Sequence, residues 1–305
     1  MNSTIISIPL NNNINNFLNV MFKDTNIPDL LKENCWIAGG FARIIGRCQF
    51  NIEKESVEKV IYDYIFRSHG DIDIFTKSNV TYNKSAVILR QNRSDNVGVY
   101  PTYNHDYINT FSENFIFHSK KELYNIDHDM GIKMQLVNKF FYKSISDCFD
   151  AFDFTNCKFA LQFKNNRFVI HYEADAVDFE EKNHLSLEHS NSPLLGKRII
   201  KYLKKGLEFS DSSKNISVLK SFYYKALTKN WDQVYLDNMD QYNFNVEALG
   251  ITYLDNWVQM SKEDLILFVG KISVPEFEQY SNGGYGHYYA MTGSQDWALK
   301  LISER

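Results

Sequence analysis

Asp71 and Asp73 stand two residues apart in Gly70-Asp71-Ile72-Asp73-Ile74-Phe75, and this run constrains the chain more than any other. Side chains alternate faces along a strand, so the spacing predicts a strand with both carboxylates on one face. Ile72 and Ile74 then face the other way, toward a core. Two carboxylates side by side repel unless they are solvated or share a divalent cation. Mg²⁺ takes oxygen ligands and binds through a few carboxylates together with substrate phosphates. Upstream, the apolar run Cys35-Trp36-Ile37-Ala38 predicts a buried strand and Gly39-Gly40 a turn. The spacing of Phe41, Ile44, Ile45 and Cys48 predicts a helix over 41–49. A backbone lacking Cβ atoms approaches a triphosphate closely, and the first N–H groups of the helix that follows favour an anion.

Together, Trp36-Ile37-Ala38-Gly39-Gly40-Phe41-Ala42-Arg43-Ile44-Ile45-Gly46 and Gly70-Asp71-Ile72-Asp73-Ile74-Phe75 resemble the nucleotidyltransferase superfamily. That superfamily includes DNA polymerase beta, poly(A) polymerases and the nucleotidyltransferase toxins. Its pattern is an apolar strand, Gly-Gly or Gly-Ser, a helix, and Asp-x-Asp on the next strand. The stretches 132–137 and 149–161, followed by Leu194 to Gly206, look like nucleotidyltransferase-like proteins of bacteriophages and large DNA viruses. The resemblance implies an α+β fold, a small mixed sheet flanked by helices. It implies Mg²⁺ (or Mn²⁺) on Asp71 and Asp73, and a nucleoside triphosphate held at Gly39 and Gly40. The implied reaction moves a nucleoside monophosphate to a hydroxyl or phosphate acceptor on RNA, tRNA or a protein.

Two departures accompany the resemblance. The stretch 47–69 inserts a further helix between the two motifs, read over 53–66 on Val57, Val60, Ile61 and Ile65. The position where the family often carries a third carboxylate holds Gln135. The replacement expected here is Asp153, on a strand read over 152–161, with Asp127, Asp129 and Asp150 as weaker alternatives. If no third carboxylate reaches the site, the fold would serve as a viral structural or regulatory binding component without turnover.

Other candidates are less specific. Arg43 and Arg47, one helical turn apart after the di-glycine, are read either as phosphate contacts or as surface charges. Lys197, Arg198, Lys201, Lys204 and Lys205 share one face of a helix opposite Ile199, Ile200 and Leu203. In a chain of net charge −4 that face concentrates positive charge for a phosphodiester backbone or triphosphate tail, with Lys201 central. The segment 280–293 is read as a surface loop whose tyrosines would stack bases only as a secondary possibility.

With 44% hydrophobic residues over 305, the chain has the composition of a globular protein. Its charge balance excludes a histone-like nucleic-acid coat. Cys35, Cys48, Cys148 and Cys157 show no metal-ligand spacing, and reduced buried thiols are expected. No apolar run reaches membrane-spanning length and no secretory leader is read, so a cytoplasmic protein is expected. The pattern divides into an α/β region over 1–190 and a mostly helical region over 191–305.

Overall fold

The computed structural model describes residues 4–23, 25–32, 34–68, 70–91, 93–94, 97–101, 112–118, 131–192, 195–209, 213–228, 276–282 and 285–291. Two compact units result, Met1–Glu181 and Lys182–Arg305. The first is an α+β unit built on a nine-stranded mixed sheet with helices against it. Its strands are β1 (Ile5–Pro9), β2 (Cys35–Ala38), β3 (Ile72–Thr76), β4 (Arg93–Ser94), β5 (Val97–Pro101), β6 (Ser112–His118), β7 (Gly131–Phe141), β8 (Phe159–Lys164) and β9 (Arg167–Glu173). They lie in the order β1-β9-β8-β2-β3-β7-β6-β5-β4. The β3–β7 pairing is parallel; β2 runs antiparallel to both β3 and β8.

Period-two alternation gives the sheet two different faces. Cys35, Ile37, Ile72, Ile74, Met134, Leu136, Phe159 and Leu161 enter the main core. Against that face pack α1 (Asn12–Met21), α2 (Ile27–Leu30), α3 (Gly40–Gln49) and α5 (Asn79–Gln91). On the opposite face Trp36, Ala38, Phe75, Val137 and Ala160 form a smaller cluster with Cys148 and Phe149 of α6 (Ile145–Asp150). Burying a side chain of Phe or Ile size contributes about 1.5–3 kcal/mol, so the apolar positions of β2, β3 and β8 determine which face each polar neighbour takes.

The strand at Cys35 and the helix after Gly40 lie where the periodicity places them. The inserted helix is shorter than its pattern. Ser56 accepts from the Lys59 amide and starts α4 at Val57, and beyond Tyr62 the chain continues as one π turn, Asp63–Arg67. The expected strand over 152–161 is a correction. Only Phe159 onward is β8, because Thr155–Cys157 forms a 3₁₀ turn. The Asn156 side chain donates to Glu180 at 2.9 Å, which holds that segment in the turn. The first unit ends in α7 (Ala174–Glu181), which carries Glu180.

In the second unit, β10 (His184–Leu185) pairs in parallel with β11 (Glu208–Phe209), with α8 (Leu195–Lys204) between them in sequence and α9 (Ser213–Thr228) after them. The boundary between the two compact units falls before His184. The segment read as a loop from Tyr280 forms a hairpin, β12 (Glu276–Asn282) and β13 (Tyr285–Met291). Residues 229–275 and 292–305 of the region read as mostly helical lie outside the described residues, as do Asp127 and Asp129. Among the described residues no helix is long and apolar enough to cross a membrane.

Candidate nucleotide site

Asp73 lies in the middle of the site. Ile72 and Ile74 are fully buried in the core, while Asp71 and Asp73 are half-exposed on the opposite side of the strand. Ala38, the last residue of β2, pairs with Asp73, so the turn at Gly39 begins beside that carboxylate. Gly39 has φ +79°, and a Cβ there would lie 3.6 Å from Asp73 Oδ2. Any other residue would be strained in this backbone conformation, although its Cβ would make only an ordinary van der Waals contact with the carboxylate. Glycine supplies no capping side chain, and none caps α3. The helix amides that favour anions thus begin one residue after the turn.

On the other flank, Gln135 of β7 is in direct register with Asp73. Met134 and Leu136 enter the core, so Gln135 is on the Asp73 face. The amide stands where a third carboxylate would be expected from the family pattern. Continuing the register by one residue sets Lys133, which is exposed, alongside Asp71. Lys133 is absent from the motif reading because only the β3–β7 pairing brings it there.

Tyr64 is the main residue the sequence did not reveal. It is buried on the π turn, its hydroxyl donates to the Asp71 carbonyl at 2.9 Å, and its carbonyl accepts from the Gly70 amide at 2.8 Å. A Cβ on Gly40 would lie 2.6 Å from Tyr64 Oη, and one on Gly70 would collide with the ring. The motif assigns the bare Cα of Gly40 to a triphosphate; the structure fills it with Tyr64. The inserted helix is therefore the buttress that locks the di-glycine turn to the start of β3. Burial first, and then the charges of Asp71 and Asp73, push the Tyr64 hydroxyl far above its ordinary range. It stays protonated and keeps its donor role. Burial, assisted by Asp73, also pushes the Cys148 thiol up to about 12.

Arg43 is a correction. It is 3% exposed, and its guanidinium makes a two-point ion pair with the fully buried Glu180, at 2.7 Å and 2.8 Å. Arg47 donates to the same carboxylate and to Glu53. Neither arginine is a surface charge. Burial alone would raise the Glu180 carboxyl, but the charge of Arg43 and hydrogen bonds from Arg43, Arg47 and Asn156 hold it below its usual range. This cluster ties α3 to α7 and to the 3₁₀ turn.

Asp153 is also placed differently from expectation. It is 5% exposed and lies on the turn between α6 and the 3₁₀ segment that leads into β8. That strand pairs with β2 rather than β3. Among the described residues no group of three or more His, Cys, Asp or Glu side chains is placed to hold a metal ion. Asp71, Asp73 and Asp153 accordingly form no triad. Asp150, at the end of α6, is exposed. Lys201 is exposed on α8 of the second unit, where Ile199 and Leu203 are buried and Lys205 lies over the Tyr202 ring at 5.9 Å. All four cysteines are free.

The family model of the Gabija anti-defense 2 family protein matches residues 9–177, which span β2 to β9, the di-glycine and both aspartates. No curated protein matches the chain. Among solved structures it is similar to the Thermotoga maritima CCA-adding enzyme complexed with tRNA, at 12% identity and TM-score 0.44 over 73% of this chain and 47% of that one. It is also similar to a CCA-adding enzyme in complex with ATP, at 13% identity and TM-score 0.44 over 70% and 44%. A tRNA-processing enzyme in its apo form matches at 13% identity and TM-score 0.42 over 75% and 51%. The chain thus spans about half the length of the solved structures it matches.

Proposed function

The chain belongs to the Gabija anti-defense 2 family, and on that premise we propose that it counters the Gabija defence as a Mg²⁺-dependent nucleotidyltransferase. The transfer would break the bond between the α-phosphate and the pyrophosphate of a nucleoside triphosphate. It would form a bond from that phosphorus to a hydroxyl or phosphate oxygen of an RNA or protein acceptor, whose proton passes to water.

The observation that carries this reading is the apposition of Asp73 Oδ2 and the Gly39 backbone, with Asp71 on the same strand face. Two carboxylates, an amide oxygen at Gln135 and the uncapped start of α3 suit one Mg²⁺ that brings nucleotide phosphates with it. When bound, that ion would neutralise the aspartates and the phosphate charge. The chain's own residues would hold the triphosphate against the α3 amides and keep the turn rigid through Tyr64. They supply no third carboxylate, so a two-ion clamp does not fit the described residues.

A second reading rests on that last point. With Gln135 in register with Asp73 and no third acidic ligand in the cluster, the same surface would bind a nucleotide, or a component of the defence, without transfer. Incubation with each labelled triphosphate, Mg²⁺ or Mn²⁺, and either RNA or defence proteins separates the two. Covalent label on an acceptor, lost in the Asp71→Asn/Asp73→Asn variant, supports transfer. Saturable triphosphate binding with no label incorporated supports the binder.

A further inference from the structure

A second polar site lies on the same face of the sheet at the other end of β2 and β3. Asp73 and Lys77 are four residues apart, roughly 13 Å along a strand. A pocket of about 320 Å³ opens there. Three lysines line it: Lys77 just past β3, Lys143 just past β7, and Lys164 at the end of β8. No acidic side chain is among its described lining residues. In a chain of net charge −4 this concentrates positive potential in one concave spot.

The pocket wall adds directional groups. His171 of β9 is 5% exposed, its Nδ1 is 2.7 Å from Ser7 Oγ, and its Nε2 has no hydrogen-bond partner among the described residues. Burial, and then the charge of Lys164, lower its pKa to about 4, so the ring is neutral at pH 7. The Ser7 hydroxyl can donate to Nδ1 or accept from it; in the first case the neutral imidazole carries its proton on Nε2. His171 Nε2 is thus a buried polar atom with no bonding partner among the described residues, on a ring that borders the pocket. Trp36 and Ile145 line the same pocket and supply an apolar wall.

We propose that this pocket binds a small phosphorylated ligand of mononucleotide size, its phosphate among Lys77, Lys143 and Lys164 and its apolar body toward Trp36. The volume is at the lower end of small-molecule sites, enough for a nucleoside monophosphate and too small for a folded macromolecule. The site is separate from the aspartate pair at the other end of these strands and does not rest on the transferase reading.

Calorimetry of the full chain with AMP, with CMP and with inorganic phosphate tests it, in the absence of divalent metal. Saturable binding of a nucleoside monophosphate is expected, at least tenfold tighter than inorganic phosphate. Lys77→Ala/Lys164→Ala should weaken it at least tenfold with an unchanged melting temperature, since both lysines are exposed. Asp71→Asn/Asp73→Asn should leave it unaltered, which separates this site from the proposed transferase site. The His171 ring resonances should shift on titration in the wild type and not in the lysine variant. No saturation at millimolar ligand, equal affinity for phosphate and the monophosphates, or loss of binding only in the aspartate variant would each overturn the proposal.

Discussion

Tyr64 donates its hydroxyl to the carbonyl of Asp71 while its Oη occupies the space a side chain on Gly40 would need. One phenol therefore couples the two halves of the motif. Gly40→Ala forces Oη and the new methyl apart, whereas Tyr64→Phe removes the obstructing oxygen and leaves only ring carbons at 3.5 Å and beyond. Each single substitution should destabilise the protein, Tyr64→Phe by about 1 kcal/mol for a lost hydrogen bond. The double variant should be more stable than the sum of the two by about 0.5–3 kcal/mol. Urea unfolding of the four proteins gives the cycle, and strict additivity would mean that Tyr64 does not fill the Gly40 site.

The Arg43–Glu180 pair makes a different prediction. Glu180→Gln leaves two arginines facing a neutral amide in a buried place and should cost about 3–5 kcal/mol. Because the folded carboxyl titrates below its usual value, the wild type keeps this stabilisation above the unfolded carboxyl pKa, about 4.3. It loses the stabilisation as pH falls through the lower folded value. Glu180→Gln should show a shallower loss of stability below about pH 4. An unchanged acid limb would remove Glu180 from the account.

At the aspartates, charge removal should separate stability from binding. Asp71→Asn/Asp73→Asn relieves repulsion between like charges, so the metal-free protein should melt at the same temperature or higher while Mg²⁺-dependent triphosphate binding is lost. A lower melting temperature would show that the two carboxylates are structural hydrogen-bond acceptors.

Gln135→Asp is the converse. It adds a carboxylate in register with Asp73 and should tighten Mn²⁺ binding about tenfold or more, while lowering stability without metal. Titration followed by Mn²⁺ paramagnetic resonance reads this directly. Unchanged Mn²⁺ affinity would mean that the β7 position faces no ion.

His171 contributes in the opposite pH sense from a paired histidine. Its folded pKa is lowered to about 4 by burial and then Lys164, from 6.5 in the open chain. The unfolded chain therefore takes up the proton first, and stability falls as pH drops from 6.5 toward 4, by an amount of order 1–3 kcal/mol. His171→Gln should flatten that window in thermal melts at matched ionic strength.

The alternation of Asp71, Ile72, Asp73 and Ile74, the apolar run at Cys35 and the helical spacing after Gly40 were all legible in the sequence. Each follows from the geometry of adjacent residues. The strand β1 was missed because Ile5–Pro9 is an edge segment whose pairing partner, β9, is far away in sequence. Asp153 was misassigned for a related reason. Its Phe-Asp-Phe alternation reads as a strand, but Asn156 is held by Glu180 and the backbone turns instead.

By itself, then, the sequence determined that a carboxylate-bearing strand follows a strand, a glycine turn and a helix, since a period of two or 3.6 residues needs only local sterics and the demand to bury apolar faces. What faces those carboxylates was decided by tertiary structure alone. Gln135 reaches Asp73 through a parallel pairing, and Arg43 reaches a partner 137 residues away. The lysine pocket is assembled where the ends of β3, β7 and β8 come together. Loop-closure entropy rises only slowly with chain length, so such contacts form at any separation and leave no periodic trace in the chain that makes them.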